Sequence, residues 1–418
     1  MSENVLSPER PAEEPLAGEV AVDPATGRPA GRPQALVLLF SSCLAVLGAV
    51  LLAPVLPRIQ DAFAGTPGVE ALTPIVLTAP ALVIGLTATF AGRIVDRLGR
   101  KRLLVGALVV YAFAGTAPLW LPSLELIVAS RVLVGLTEAA IMTCCTTLLA
   151  DYFHGSTRDR YFGLQVIFTT VAATVFFALG GVLGAQDWRT PFWLYAVSLP
   201  LALAAARYVW QPSPQALSRT GRLPGLPWRR LGAPVGVSLL GGLVFYVLIV
   251  ELSFKLDSIG VDSPATIGAV SAVASLGTAV GGFLFGRLAK HGPATTVPLA
   301  FAVSGVGLVG LALAPSVPLV VVAAVVAGFG NGLLLPSLLI WALGSLTFEQ
   351  RGRGTGAWTS AMFIGQFVCP LVVLALVGAL DGLGAALAVL GGVSLAVAAG
   401  VRLARPARPV EPVGPGAH

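Results

Sequence analysis

Uncharged apolar runs recur along this chain at the length of a membrane crossing. They occupy 33–57, 71–92, 103–124, 161–186, 231–250, 263–286, 354–380 and 382–401, with a shorter run at 190–206 bordered by Trp188 and Tyr208. A helix needs about 20 apolar residues to traverse the hydrocarbon core. Residues 292–348 contain no Asp, Glu, Lys or Arg, and Pro315 and Pro318 divide them into two spans. The last span, 126–149, carries two charges, Arg131 and Glu138. The pattern predicts an all-α membrane protein of twelve transmembrane helices.

The cations sort onto one side. Of 26 Lys and Arg, only Arg58, Arg189 and Lys255 fall in segments on the other side and Arg131 lies within a span, leaving 22 in the tails, the middle loop and alternate short loops. Loops that stay in the cytoplasm hold Lys and Arg. Both termini are therefore expected in the cytoplasm, with the chain in an inner or plasma membrane. Residues 1–33 are Pro-, Glu- and Ala-rich without an apolar stretch, which predicts a disordered tail rather than a signal peptide; 406–418 is similar. A chain 56% hydrophobic and 11% charged is no ordinary soluble globule. The net charge of +6 is dispersed over short loops, unlike a nucleic-acid footprint.

The second half repeats the first at an offset of about 193 residues. Arg158–Gly163 aligns with Arg351–Gly356, Gly92–Val95 with Gly286–Ala289, and Gly184–Asp187 with Gly378–Asp381. Gly135 falls on Gly328, and Glu138 on Asn331. Two pseudo-symmetric six-helix bundles are expected, at 34–210 and 231–405, joined by a Pro/Arg-rich cytoplasmic linker at 211–230. Duplicated bundles of this kind are the architecture of secondary transporters, with the substrate site at the midplane between halves.

The loop between spans two and three reads Gly92-Arg-Ile-Val-Asp96-Arg97-Leu-Gly99-Arg100-Lys101. It resembles the Gly-x-x-x-Asp-Arg-x-Gly-Arg-Lys signature of the major facilitator superfamily. Arg131-Val-Leu-Val-Gly135 in span four resembles a second motif of that superfamily, and the resemblance runs from about residue 35 to 405. It implies alternating access by rocking of the halves. It also implies a latch between halves on the cytoplasmic side, made by Gly92, Asp96, Arg97, Gly99, Arg100 and Lys101 near Arg353 at the start of span eleven. The bland alternative is that these cations only fix topology and bind anionic lipid headgroups. The corresponding loop of the second half, Gly286–Gly292, lacks the acid.

Arg131 and Glu138 lie seven residues apart on nearly the same helix face. An ionised side chain at helix centre costs about 2.5–3.5 kcal/mol, so each should face a wet cavity or a partner. The resemblance implies that spans four and ten line the central cavity, which would set Glu138 opposite Asn331. Two readings stand: Glu138 couples transport to protons or binds an amine, or Arg131 and Glu138 form an internal salt bridge. Gln165 on span five and Trp358 and Gln366 on span eleven complete the candidate substrate and proton site. Glu251 and Lys255 read as a pair at the membrane surface, and Asp151 as a partner for Arg158 or Arg160. The four cysteines, Cys43, Cys144, Cys145 and Cys369, lie within spans, without metal or disulfide spacing.

No acid–base–nucleophile cluster points to an enzyme, and His154, His291 and His418 all lie in loops or the tail. Drug/proton antiporters of the resembling family carry Gly-Pro-x-x-Gly-Gly in span five. Here Gly180-Gly181 is present but Phe176-Phe177 replaces Gly-Pro. The expected function is proton-coupled export of a small hydrophobic or amphipathic molecule by a monomer. No cofactor is expected, only a proton gradient as driving force. Proton-coupled uptake of an organic acid, with Arg131 binding its carboxylate, is the alternative. A non-transporting receptor is the remote one.

Overall fold

The computed structural model describes residues 20–23, 26–212, 225–344, 346–380 and 382–404. Most of the two tails, the middle of the linker and Asp381 lie outside the described residues, as do the side chains of Arg93, Asp96, Phe348 and Glu349. The expected disorder of residues 1–19 and 406–418 falls there too.

Twelve principal helices follow in order: α1 (Arg32–Val50), α2 (Val69–Thr87), α3 (Arg100–Thr116), α4 (Leu124–Tyr152), α5 (Gly155–Gly184), α6 (Ser198–Tyr208), α7 (Trp228–Ser258), α8 (Pro264–Leu288), α9 (Pro293–Leu313), α10 (Val317–Leu343), α11 (Phe348–Leu380) and α12 (Leu383–Ala404). Eleven are long and apolar enough to cross a membrane. The twelfth crossing is α6 with the 3₁₀ stretch Thr190–Val197 before it. Pro200 favours the change of helix type, because it cannot donate the backbone bond to Ala196 that a continuous α-helix would require.

Two details depart from expectation. The signature segment is not a plain loop: Ala91–Leu98 forms a short helix, and Gly99 at φ +83° turns the chain into α3. Only glycine adopts that backbone conformation readily. The end of the expected tail is also held. Val20 pairs with Phe153, Val22 pairs with Pro29, and Ala21 donates to Tyr152 O at 2.8 Å. Ala30 is buried there. A short segment with apolar Val20, Val22 and Ala30 can dock on the end of α4 although its composition reads as tail.

Within lipid no hydrophobic drive joins helix to helix, so small residues must allow close packing. α8 and α10 cross on such residues. A Cβ on Gly277 would lie 2.6 Å from Val325 O, and one on Gly332 would lie 2.1 Å from Thr278 O. The halves meet where α5 packs on α8 and α2 on α11. At the first crossing Gly181 faces Gly268, and a Cβ on either would come within 3 Å of the other's Cα. Every buried residue of α5 (Phe177, Gly180, Gly181, Gly184) lies in its last third. On α8 burial stops at Gly281. The two helices thus converge away from the chain termini and part toward them. Val50–Leu56, fully buried at the end of α1, plug the convergent end. There a Cβ on Gly184 would touch both Val55 and Pro264.

Candidate functional site

A cavity of about 370 Å³ lies between the halves. Its lining comes from α1 (Ala45, Val46, Ala49), α5 (Ala173, Phe177), α7 (Phe245, Tyr246, Leu248, Leu252), α8 (Ser271, Ser275, Thr278), α10 (Asn331, Leu335) and α11 (Trp358, Met362, Phe363, Gln366), with a few further small or apolar residues. Among the described residues no Asp, Glu, Lys or Arg lines it. Neither α2 nor α4 contributes a side chain, so the cavity leans on the C-terminal half.

Polar groups are few and differ in what they leave free. Asn331 is committed: its Nδ2 donates to Phe245 O at 3.1 Å and its Oδ1 accepts from Ser304 Oγ at 3.1 Å. Tyr246 donates to Ala49 O at 3.3 Å, tying α7 to α1 across the interface. Thr174 and Ser275 make a 3.0 Å bond between α5 and α8. By contrast the buried indole Nε1 of Trp358 has no hydrogen-bond partner among the described residues. Gln366 is only 7% exposed, and none of the described hydrogen bonds is its own. A buried donor without a partner forfeits its hydration, a cost of about 1–3 kcal/mol that a ligand acceptor would recover.

Of the residues expected in the site, Asn331, Trp358 and Gln366 line the cavity. Gln165 stands apart, donating from Nε2 to Ser42 Oγ at 2.8 Å between α5 and α1. Glu138 and Arg131 do not line it. Glu138, 2% exposed, is turned into the N-terminal bundle, where its carboxyl occupies the space a side chain at Gly48 would need. Tyr111 shares its hydroxyl between Leu44 O at 2.7 Å and Glu138 Oε1 at 3.4 Å. Arg131, 1% exposed, donates from Nη2 to Ala114 O at 2.9 Å and Gly115 O at 3.0 Å. Its guanidinium lies 5.3 Å from the Phe192 ring centre and 5.0 Å from that of Tyr195. The expectation that Glu138 faces Asn331 across the cavity is thus corrected. So is the alternative of a salt bridge, since no Arg131–Glu138 ion pair occurs among the described residues. The helix is rotated so that glycines and aromatic rings, rather than water or each other, receive the two charged residues.

At the terminus-bearing end, Arg100 pairs with Asp151 of α4, both partly buried. Asp151 therefore engages the signature segment instead of Arg158 or Arg160; Arg158 pairs with its neighbour Asp159. The Lys101 amide donates to Gln211 Oε1 at 3.1 Å. Gly92 and Arg97 are exposed. On α11, a Cβ on Gly356 would lie 3.4 Å from Thr89 Cα, one turn from Arg353. The signature segment and the start of α11 thus lie on the same end of the molecule.

Comparison with known proteins agrees with this architecture. The profile of the Major Facilitator Superfamily matches residues 38–254 and 235–418. The chain belongs to that superfamily, whose members are membrane transporters rather than enzymes. It is 28% identical over 228 residues to the class C tetracycline resistance protein of Escherichia coli, covering 52% of this chain and 55% of that protein. The chain thus spans about half the length of that relative. It is 27% identical over 294 residues to the 3-(3-hydroxy-phenyl)propionate transporter of Escherichia coli strain K12, covering 66% and 71%. The fold matches a bacterial homologue of the human lysosomal transporter Spinster in its inward-facing, unoccupied conformation. That match has a TM-score of 0.67 and 18% identity, over 90% of this chain and 96% of that one.

Proposed function

We propose that this protein exports an uncharged, aromatic or amphipathic small molecule by alternating access, driven by a proton gradient, from a membrane in which both termini are cytoplasmic. The carrying observation is the cavity as the described residues form it: aromatic and aliphatic walls, no charged side chain, and an indole N–H and an amide on the same helix without partners among those residues. An aromatic ring would pack on Phe245, Phe363 and Trp358, and a carbonyl or hydroxyl oxygen would accept from Trp358. Uptake of an aromatic acid, suggested by the hydroxyphenylpropionate relative, would need a cation in the cavity. Arg131 is held on Ala114 and Gly115 instead.

With cytoplasmic termini, the end at which α5 and α8 part would face the cytoplasm. The segment Gly92–Lys101, with Asp96 as acceptor, and Arg353 are assigned to the latch that holds the halves together at that end in the outward-facing state. Glu138 is assigned to proton coupling from within its bundle rather than to substrate contact.

Proteoliposomes test the proposal with two probes. Chloramphenicol, an uncharged aromatic amphipath, should move faster under a proton gradient and lose that acceleration when the gradient collapses. 3-(3-Hydroxyphenyl)propionate should not. The reverse preference would overturn the export reading. Trp358→Phe should weaken chloramphenicol binding about 5- to 30-fold while leaving the protein folded, the loss expected for one buried hydrogen bond.

A further inference from the structure

Glu251 does not behave as a surface residue. It lies on α7, 4% exposed, between the cavity-lining Leu248 and Leu252. Its expected partner Lys255 points elsewhere, donating from Nζ to Ala312 O at 3.3 Å on α9. The carboxyl of Glu251 makes no ion pair or hydrogen bond among the described residues.

Among the described residues the surrounding elements offer no charge to compensate it. Cys369 on α11 is the titratable group that faces it, one turn from the cavity residue Gln366. α8, α9, α10 and α12 carry no titratable side chain at this depth; their only ones are Arg287 and Arg402, near the terminus-bearing end. Just beyond the plug, Arg58 is bonded to Gly184 O and Ala185 O, and Asp61 is grouped with Asp257 and Asp262 toward the rim. On α7 itself Tyr246 is bonded to Ala49 O. A carboxylate in such a place would lose its hydration with nothing in return, which only the neutral acid avoids.

We propose that Glu251 is a proton-binding site of the C-terminal half, holding a proton while the end away from the termini is closed and releasing it only when rocking of the halves wets α7. Its existence rests on this geometry. Its use in coupling rests on the transport function proposed above. Each bundle would then hold one buried carboxyl, Glu138 and Glu251, on opposite sides of the interface between halves.

Infrared difference spectroscopy of the purified full chain, titrated in detergent, reads the proton directly. The wild type should keep a protonated carboxylic acid C=O band after its exposed carboxylates have ionised. Glu251→Gln should remove about half of that band, the rest belonging to the second buried carboxyl, and Glu251→Asp should restore it. Cys369→Ser, beside the carboxyl, should shift the same component, and it serves if Glu251→Gln does not fold. A missing wild-type band, or one untouched by these changes, overturns the proposal. Chloramphenicol flux separates the two ideas. A band that responds as expected in a protein showing no gradient-dependent flux would keep the proton site and reject the coupling. Gradient-dependent flux with an unresponsive band would keep the proposed transport function and reject Glu251 as its proton site.

Discussion

The two halves make the same hydrogen bond with different side chains. In the N-terminal half Tyr111 on α3 reaches Glu138 on α4; in the C-terminal half Ser304 on α9 reaches Asn331 on α10. The partners are 27 residues apart in each case. An offset of about 193 residues carries one bond onto the other and sets Arg131 on the fully buried Ala324. The close contacts repeat as well. A Cβ on Gly135 would strike Pro80 of α2, and one on its mate Gly328 would strike Ala274 of α8. What differs is volume and charge. The α3–α4 seam is filled by Arg131, Tyr111 and Glu138. The α9–α10 seam is closed by Gly307 and Gly330, where the first half has Ala114 and Thr137. One helical layout therefore accepts either large polar inserts or backbone contact. Only the second arrangement lets α10 present Asn331 to the cavity, and only the first places an ionisable group in the seam itself.

The largest expected effect breaks the glycine-closed seam. A Cβ on Gly307 would lie 2.3 Å from Ala327 N, a backbone atom that cannot swing aside. Gly307→Val should cost about 3 kcal/mol, read as thermal unfolding in detergent, while Ala114→Val at the mate position should cost about 1 kcal/mol. Equal losses would mean that the seams are not packed differently. Next comes Arg131→Met, which keeps the bulk but abandons two carbonyl acceptors and two ring contacts. A loss of about 2–3 kcal/mol is expected by the same measurement. A neutral result would make the buried guanidinium a passenger.

Much of this was legible in sequence because it is local. Hydropathy fixes where the chain crosses the membrane, and cation placement predicts its orientation. The Gly92–Lys101 motif and the offset repeats identify the family and the duplication. What a helix faces is not local. The resemblance, by putting spans four and ten on the cavity, sets Glu138 across from its repeat mate Asn331, yet among the described residues α4 supplies nothing to the cavity. Its rotation is decided by Gly48, Tyr111 and the rings of Phe192 and Tyr195, which come from three other segments. Glu251 is hidden for a related reason. Spacing with Lys255 suggests a surface pair, and only the turn of Lys255 toward Ala312 O leaves the carboxyl alone. Its position between Leu248 and Leu252, well inside the end of α7 at Ser258, was the available signal.

Smaller effects test the repeated hydrogen bond itself. Tyr111→Phe removes a hydroxyl that serves both Leu44 O and Glu138, and should cost about 1–2 kcal/mol. Ser304→Ala should cost about 1 kcal/mol or less, because Asn331 keeps its bond to Phe245 O. The order of the two, from thermal unfolding of matched preparations, is the informative quantity. A larger loss at Ser304 would show that the amide bond, not the carboxyl bond, holds its bundle together.

The smallest change in stability should come from Glu138→Gln, which gives the N-terminal half an amide like that of its mate Asn331. Gln fits the space beside Gly48 and can still accept from Tyr111. If Glu138 sits neutral in this state, the swap should alter stability by less than about 1 kcal/mol. Chloramphenicol flux in proteoliposomes should nevertheless lose its response to a proton gradient, because an amide cannot cycle a proton. A destabilisation of about 3 kcal/mol or more would instead mean that the carboxyl is ionised here and balances Arg131 through the bundle. The two halves would then differ in net buried charge as well as in side-chain volume, and Glu138 would be a structural counterion. Unchanged gradient dependence in a stable Glu138→Gln protein would leave the repeated bond as architecture in both halves and remove the N-terminal carboxyl from the transport cycle.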